Sequence, residues 1–285
     1  MNGIILIDKP KEYTSHDVVA VIKKISKEKV GHTGTLDPNA TGVLPLLIGK
    51  ATGISKYLIN HDKTYIATLK LGIKTDTADS EGNVIEEKEV AELSDEEVIK
   101  VLNSIIGKQT QVPPMYSAIK VNGKKLYEYA RQGKTVEIKG RDIEIYNMKL
   151  VKVNLQEAEV IFEISCSKGT YIRTVCENVA EKLNTVGYMK ELRRISVGEF
   201  DIKDSIKIED IKNNEKLLEE KIISIEKFFY DKEKIELNDK ELQLFLNGVL
   251  LTKIKSEGIY RIYNNDKFIG LGIISNNRLK RDIIL

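Results

Sequence analysis

The stretch G-H-T-G-T-L-D-P-N-A-T-G, residues 31–42, sets one histidine and one aspartate among glycines, a proline and small polar residues. Asp37 is the candidate for chemistry there. No second carboxylate stands in a comparable setting, so the paired carboxylates of glycoside hydrolysis are not indicated. Gly42 and the pair Gly49-Lys50 miss the phosphate-loop spacing, and Ala51 stands where the metal-binding hydroxyl belongs. The chain has no G-x-S-x-G elbow, no H-E-x-x-H, and no dinucleotide fingerprint after a strand. With 3 histidines and 2 cysteines, Cys166 and Cys176, ligands are too scarce for a metal centre and too poorly spaced for a disulfide framework. What remains is one carboxylate acting as a nucleophile or electrostatic group. An aspartate with an ordinary pKa near 3.9 is already ionised at neutral pH, so it needs orientation and partial desolvation, not a base.

A basic partner would keep such a group ionised once buried. Arg173, in C-S-K-G-T-Y-I-R-T, is the candidate, with Gly169 and a strand-to-helix turn to aim its guanidinium inward. Each residue also has a plain alternative. Asp37 before Pro38 fits a simple turn-former, Arg173 a surface helix position, and Tyr65 an ordinary strand position. From Ser117 to Arg141 run Lys120, Lys124, Lys125, Arg131, Lys134, Lys139 and Arg141, opposed by Glu128 and Glu137, with Tyr127 and Tyr129 inside. That segment reads either as a solvated surface or as a phosphate-binding one.

Periodicity supplies the elements that must hold these residues. Gly3–Ile7 reads as a buried strand, and Ser15–Ser26 as a helix with Val18, Val19, Ile22 and Ile25 on one face and Thr14 or Ser15 as its cap. Val43–Ile48 reads as a strand and Ala51–Leu58 as a short helix. Lys63–Lys74 alternates as a half-buried strand. T-D-T-A-D-S-E-G-N fails the calcium-loop pattern and reads as a polar turn. Ser94 with Glu97 forms a capping box. Asn122-Gly123 marks a tight turn, and Gly133 closes a short helix. Strands are expected at Ile143–Val153 and Glu159–Ser165, a helix at Thr170–Leu183, and an extended stretch at Leu192–Phe200. Without a regular βαβ rhythm the class is α+β. Helices are expected within the charge-dense run 203–234, followed by a β-rich module of about 50 residues, too small to be very stable alone.

Composition bounds the rest. Hydrophobic residues make up 41% and charged residues 31% of the 285, as in an ordinary globular protein, and no apolar run reaches membrane-span length. The net charge of +2 advertises no polyanion partner, so the distribution of charge matters more than its sum. The first residues, M-N-G-I-I-L-I-D-K-P, read as a mature strand without a leader, and the few cysteines suit a reducing cytoplasm.

The loop G-H-T-G-T-L-D-P-N-A-T-G-V-L-P is followed in order by A-T-G-I-S-K-Y-L, D-K-T-Y, T-D-T-A-D, V-P-P-M-Y-S-A-I-K-V-N-G-K-K-L-Y-E-Y-A-R-Q-G, C-S-K-G-T-Y-I-R-T and L-R-R. Together they closely resemble the TruB family of tRNA pseudouridine synthases, over residues 3 to about 200. The resemblance implies a pseudouridine synthase fold, with a mixed, mainly antiparallel central sheet and flanking helices. It implies a catalytic domain over 1–230, with an RNA-binding insertion near 113–141, and a PUA-like RNA-binding module over 231–285. The implied reaction is isomerisation of uridine 55 in the T loop of tRNA, with base flipping and without cofactor or metal, by a cytoplasmic monomer. By the family pattern Asp37 is the essential carboxylate, Tyr65 stacks on the target base, and Arg173 pairs with the aspartate. Tyr171 and Leu192 line the pocket, and His32 fills the space the flipped nucleotide vacates. Lys9 and Pro10 belong to a structural amino-terminal motif. Lys120, Lys124, Lys125, Arg131 and Arg141 meet RNA phosphates. Two rival readings are a guide-directed relative acting on ribosomal RNA, which lacks the insertion, and a non-catalytic RNA-binding protein.

Overall fold

In strand Lys63–Leu71 the residues Lys63, Tyr65, Ala67, Leu69 and Leu71 are buried and those between them half-buried, as a pleated strand with one face on a core requires. Gly72, at φ +86°, ends it. Ile73–Thr75 is therefore a separate short strand, paired with Val84–Glu87, and not the continuation to Lys74 that alternation suggested. The computed structural model describes the whole chain except Ala118, Asn122, Arg131, Thr135 and the side chain of Tyr127. Two compact units emerge: Met1–Asp37 with Leu44–Ile59 and Asp204–Leu285, and Pro38–Val43 with Asn60–Lys203.

In the second unit, Gly107–Gln111, Arg141–Asn154, Glu159–Cys166, Lys63–Leu71 and Gly187–Val197 form successive antiparallel neighbours. Thr41 and Gly42 run parallel to Arg193 and Arg194 on the last of these. The extended stretch expected at 192–200 is thus the end of a longer strand that stops at Val197, after which Phe200–Asp201 turns back antiparallel on Ser196 and Val197. Helix Ile172–Lys182 buries Val175, Cys176, Val179 and Ala180. Helix Asp95–Asn103 starts at the expected capping box of Ser94 and Glu97, in which each side chain satisfies the other residue's N–H.

In the first unit, strand Gly3–Lys9 runs parallel to Ile206–Lys207. Val30–His32 pairs with Leu46–Ile48. Thr14 and Asp17 form a capping box on helix Ser15–Ser26. Val18 and Ile22 of that helix join Ile5, Ile7, Leu44, Leu46 and Ile48 in a core that also takes in Ile208, Ile211 and Leu218 from the charge-dense run. The segment expected as one helix over 51–58 is a 3-10 turn, Gly49–Ile54, followed by one α turn, Ser55–Leu58. The Thr52 hydroxyl donates back to the Gly49 carbonyl, a local bond that competes with α-helical pairing.

The last 50 or so residues form a five-stranded sheet in the order Lys234–Glu236, Gly258–Asn264, Lys267–Ser275, Arg278–Ile284, Leu251–Thr252. Phe245, from helix Asp239–Leu246, packs with Ile235, Leu237, Tyr260, Ile262, Ile274 and Leu279. Asn265-Asp266 and Asn276-Asn277 join consecutive strands with positive φ at all four positions, as tight hairpin turns demand. This small sheet does not stand alone in its unit. Lys56 and Tyr57 both bind the Asp282 carboxylate, and Tyr57 meets Phe229 edge-on at 5.4 Å.

Candidate active site

The loop that bears Asp37 is anchored from the first turn of helix Ser15–Ser26. Ser15 Oγ accepts the Leu36 N–H at 2.9 Å and donates to the Leu36 carbonyl at 3.2 Å. Leu36 is buried and Asp37, next in the chain, is half-buried, so the carboxylate emerges from a clamped backbone. His32 Nδ1 accepts the Gly34 N–H at 3.3 Å, and its ring stands edge-on to His16 at 5.5 Å. Lys9 is fully buried and its ammonium donates to the carbonyls of Pro10 and Tyr13. It thereby supports the turn into that helix.

Pro38–Val43 belongs to the second unit. There Gly42, at φ +112°, lies so close to Arg194 that a Cβ would fall 2.6 Å from the arginine N and onto its carbonyl oxygen. Only glycine fits that approach. Arg194 sits opposite Tyr65 in the strand register, is 1% exposed, and hydrogen-bonds the Tyr65 side chain. Its Nε donates to the Val43 carbonyl at 2.9 Å, and Nη1 of Arg193 donates to Thr41 Oγ1 at 3.3 Å. Leu192, on the same strand face as Arg194, is buried opposite Ala67. Burial, and then the charge of Arg194, lowers the proton affinity of Lys63, which shares a strand face with Tyr65.

Tyr171 precedes helix Ile172–Lys182. Its N–H donates to Gln111 Oε1 at 2.8 Å and its carbonyl accepts from Gln111 Nε2 at 3.1 Å. The expected strand-to-helix turn therefore exists, and Arg173 points inward from it, 7% exposed. Arg173 Nη1 lies 3.2 Å from Asp79 Oδ2 and donates to the Thr77 carbonyl at 3.3 Å, while Nη2 donates to the Tyr116 carbonyl at 2.9 Å. The other Asp79 oxygen accepts the Thr77 hydroxyl at 2.6 Å and the Glu81 N–H at 3.1 Å. On the same helix, burial raises the Glu177 carboxyl above the usual range, against the lowering charges of Lys74 and Arg173.

Asp79, which ends the motif T-D-T-A-D, and Arg194, which ends L-R-R, are charged residues to which the sequence reading assigned no role. Asp79 looks like any acidic turn residue, and nothing local marks its partner. Arg194 did leave a signal: two residues after the inward-facing Leu192, it must face inward too, and a buried arginine requires partners.

In the basic segment, Lys120–Val121 pairs with Lys124–Lys125 around Gly123 at φ +82°. Lys120, Lys124 and Arg141 are exposed and Lys125 half-buried, whereas Arg131 and the turn residue Asn122 lie outside the described residues. Two open clefts of about 510 and 520 Å³ flank the edge strand Gly107–Gln111. They are lined by residues such as Asn178, Glu181, Asp142 and Ser167, and contain none of the candidate residues. Among the described residues no group of three or more His, Cys, Asp or Glu is placed to hold a metal ion, and no helix is long and apolar enough to cross a membrane. Cys166 and Cys176 are free and buried. Burial pushes the Cys166 thiol up to about 11 and that of Cys176 higher still, which leaves both unreactive as nucleophiles.

Three family models cover nearly the whole chain. One described as TruB family pseudouridylate synthase (N terminal domain) matches residues 23–172. A second, tRNA pseudouridylate synthase B C-terminal domain, matches 173–230, and a third, pseudouridine synthase II TruB, C-terminal, matches 234–281. The chain is 50% identical over 279 residues to the tRNA pseudouridine synthase B of Clostridium tetani, with 95% of each covered. It is 40% identical over 285 residues to that of Francisella tularensis, covering 98% of this chain and 93% of the relative. Among solved structures it is similar to a chain of a Cbf5-Nop10-Gar1 complex, at a TM-score of 0.69 and 25% identity, over 99% of this chain and 83% of that one.

Proposed function

The chain belongs to the TruB family of pseudouridylate synthases, and from that premise we propose that it converts uridine 55 in the T loop of tRNA to pseudouridine without a cofactor. The observation that carries this reading is near full-length identity of 50% to a tRNA pseudouridine synthase B. The guide-directed alternative ranks second because the basic segment from Ser117 to Arg141, matching the insertion that such a relative lacks, is present in this chain.

In this reading Asp37 is the reacting carboxylate. It attacks C1′ of the target nucleotide or assists elimination there; the C1′–N1 bond breaks, the base turns, and a C1′–C5 bond forms, which in the first route displaces the carboxylate from C1′ and in the second is accompanied by return of the proton taken from C2′. C5 gives up its proton and N1 gains one, so the reaction is an isomerisation and needs no redox partner. The clamped backbone at Leu36 supports the required orientation, and half-burial of Asp37 supplies partial desolvation. Tyr65 stacks on the extruded base. Extrusion costs a few kcal/mol, and an aromatic platform returns roughly 1–3 kcal/mol. Insertion of His32 into the vacated space offsets more of the cost. Arg173 supplies the positive charge that keeps the aspartate ionised, and Tyr171 and Leu192 line the base pocket. Lys120, Lys124, Lys125, Arg131 and Arg141 contact phosphates, the sequence-independent part of RNA affinity. Residues 1–230 form the catalytic domain, and 231–285 the PUA-like module that extends the RNA contact. The protein acts as a cytoplasmic monomer.

The test uses a T-arm transcript carrying uridine tritiated at C5. The purified protein, without added metal or nucleotide, is expected to release tritium. Asp37→Asn abolishes release while transcript binding stays within a few fold. Unchanged turnover in that variant removes Asp37 from the mechanism.

A further inference from the structure

We propose that Arg194 is a positioning residue for the reaction: its guanidinium ties the Tyr65 hydroxyl to the Val43 carbonyl, and so fixes the tyrosine against the turn Pro38–Val43. The assignment rests on the reading above, in which Tyr65 meets the target base.

Arg194 heads the fully buried side chains by size. Stripping water from a guanidinium is costly unless its donors are used. Here Nε is used by Val43 at 2.9 Å, and the Tyr65 side chain is bonded from the facing register position. A shift in register between Arg194 and Ser196 marks a bulge, the device by which a strand re-aims a side chain near a functional site. The lack of a Cβ on Gly42 is what lets the turn come within reach, since that atom would collide with the Arg194 backbone. One buried cation thus has a partner on each side of its own strand, the tyrosine on Lys63–Leu71 and the turn that follows Asp37 in the chain.

The chemistry of the contact is directional. Guanidinium has donors and no acceptor, so the tyrosine oxygen accepts and its hydrogen is left for another partner. A neighbouring cation also favours the phenolate over the phenol. Lys63, two residues before Tyr65 on the same strand face, has its own proton affinity reduced, first by burial and then by the charge of Arg194, so it lies within the field of the same guanidinium. Both effects act on the hydroxyl of the ring that, in the reading above, stacks on the target base.

The experiment combines kinetics with spectroscopy on the full chain. Arg194→Met and Arg194→Lys are made with Tyr65 and with Tyr65→Phe, and turnover of the tritiated T-arm transcript is measured. A hydrogen bond to a charged donor sets the scale, so Arg194→Met should lower kcat roughly 10- to 100-fold. KM should change less than about threefold, because phosphate contacts dominate RNA affinity. Arg194→Lys should recover part of kcat, and in the Tyr65→Phe background Arg194→Met should add nothing. An equal loss in both backgrounds, or a change confined to KM, overturns the proposal. In parallel the protein is labelled with ¹³Cζ tyrosine, and the Tyr65 resonance is identified by its disappearance in Tyr65→Phe. In Arg194→Lys and Arg194→Met that resonance should move and titrate at higher pH, since a cation that favoured phenolate has been displaced or removed. An unmoved resonance overturns the proposal. Where Arg194→Met fails to fold, Arg194→Lys decides; where Tyr65→Phe leaves no turnover to compare, the spectrum decides. A wild-type protein that releases no tritium overturns the functional reading alone, and the resonance still reports whether Arg194 holds Tyr65.

Discussion

Removing the Asp79 carboxylate should destabilise the protein and do so through Arg173. The two side chains are 15% and 8% exposed, and their closest atoms are 3.2 Å apart. Breaking a fully buried pair costs roughly 3–5 kcal/mol because the surviving charge is left unpaired. Here Arg173 keeps the Thr77 and Tyr116 carbonyls, and Asp79 is partly wetted, so about 3 kcal/mol is expected for Asp79→Asn. The amide would also turn a donor toward the guanidinium if its oxygen stays with the Thr77 hydroxyl and the Glu81 N–H. At about 2.1 cal/mol/K per residue, a chain of 285 residues unfolds with an entropy of roughly 0.6 kcal/mol/K. That converts the loss to a fall in Tm of about 5 °C. Thermal unfolding of wild type, Asp79→Asn, Arg173→Met and the double variant measures it. If the pair is the physical link, the double variant loses less than the sum of the singles, with a coupling above about 1 kcal/mol. Additivity within about 0.5 kcal/mol would show that the two side chains are not coupled.

Gly42→Ala should cost roughly 3 kcal/mol, from strain at φ +112° and from collision with the Arg194 backbone. Gly53→Ala should be mild, since the obstacle there is the tip of Ile283 at 2.7 Å; equal costs in chemical denaturation would refute the distinction. Burial, and then the hydrogen bond to Asp282, raises Tyr57 well above the usual phenol value. A phenol raised in the folded state adds stability that is fully present below its unfolded value near 10 and is lost as pH climbs past it. Stability should therefore fall from about pH 10 upward, and less steeply in Tyr57→Phe; parallel pH curves for the two proteins would count against this.

Much of the fold was legible because its signals are short in range. The capping box at Ser94–Glu97 acts across three residues, as does the cap that falls to Thr14 of the two candidates Thr14 and Ser15, and the alternation from Lys63 to Leu71 is a property of the pleat itself. The paired Asn turn at 276–277 carries its conformation in its own residue types. The capping box at Asn238–Glu241 is equally local, although the sequence reading did not single it out. Boundaries were less legible. Gly72 ended a strand that alternation would have carried on, and Thr52 tightened turns that apolar spacing read as a helix.

The α+β class, the longer helices and strands, and the family follow from the residues alone, the family through motifs whose order along the chain carries the resemblance, while the short strands Val30–His32, Val84–Glu87 and Gly107–Gln111 were not legible there. Only the tertiary structure decided which charges meet. Arg173 reaches the Tyr116 carbonyl across 57 residues, and Tyr57 reaches Asp282 across 225. Arg194 finds Tyr65 through strand register. Local propensity sets backbone conformation within a few residues, but the partner of a buried charge is set by which strands lie side by side, and that is a product of packing the whole core.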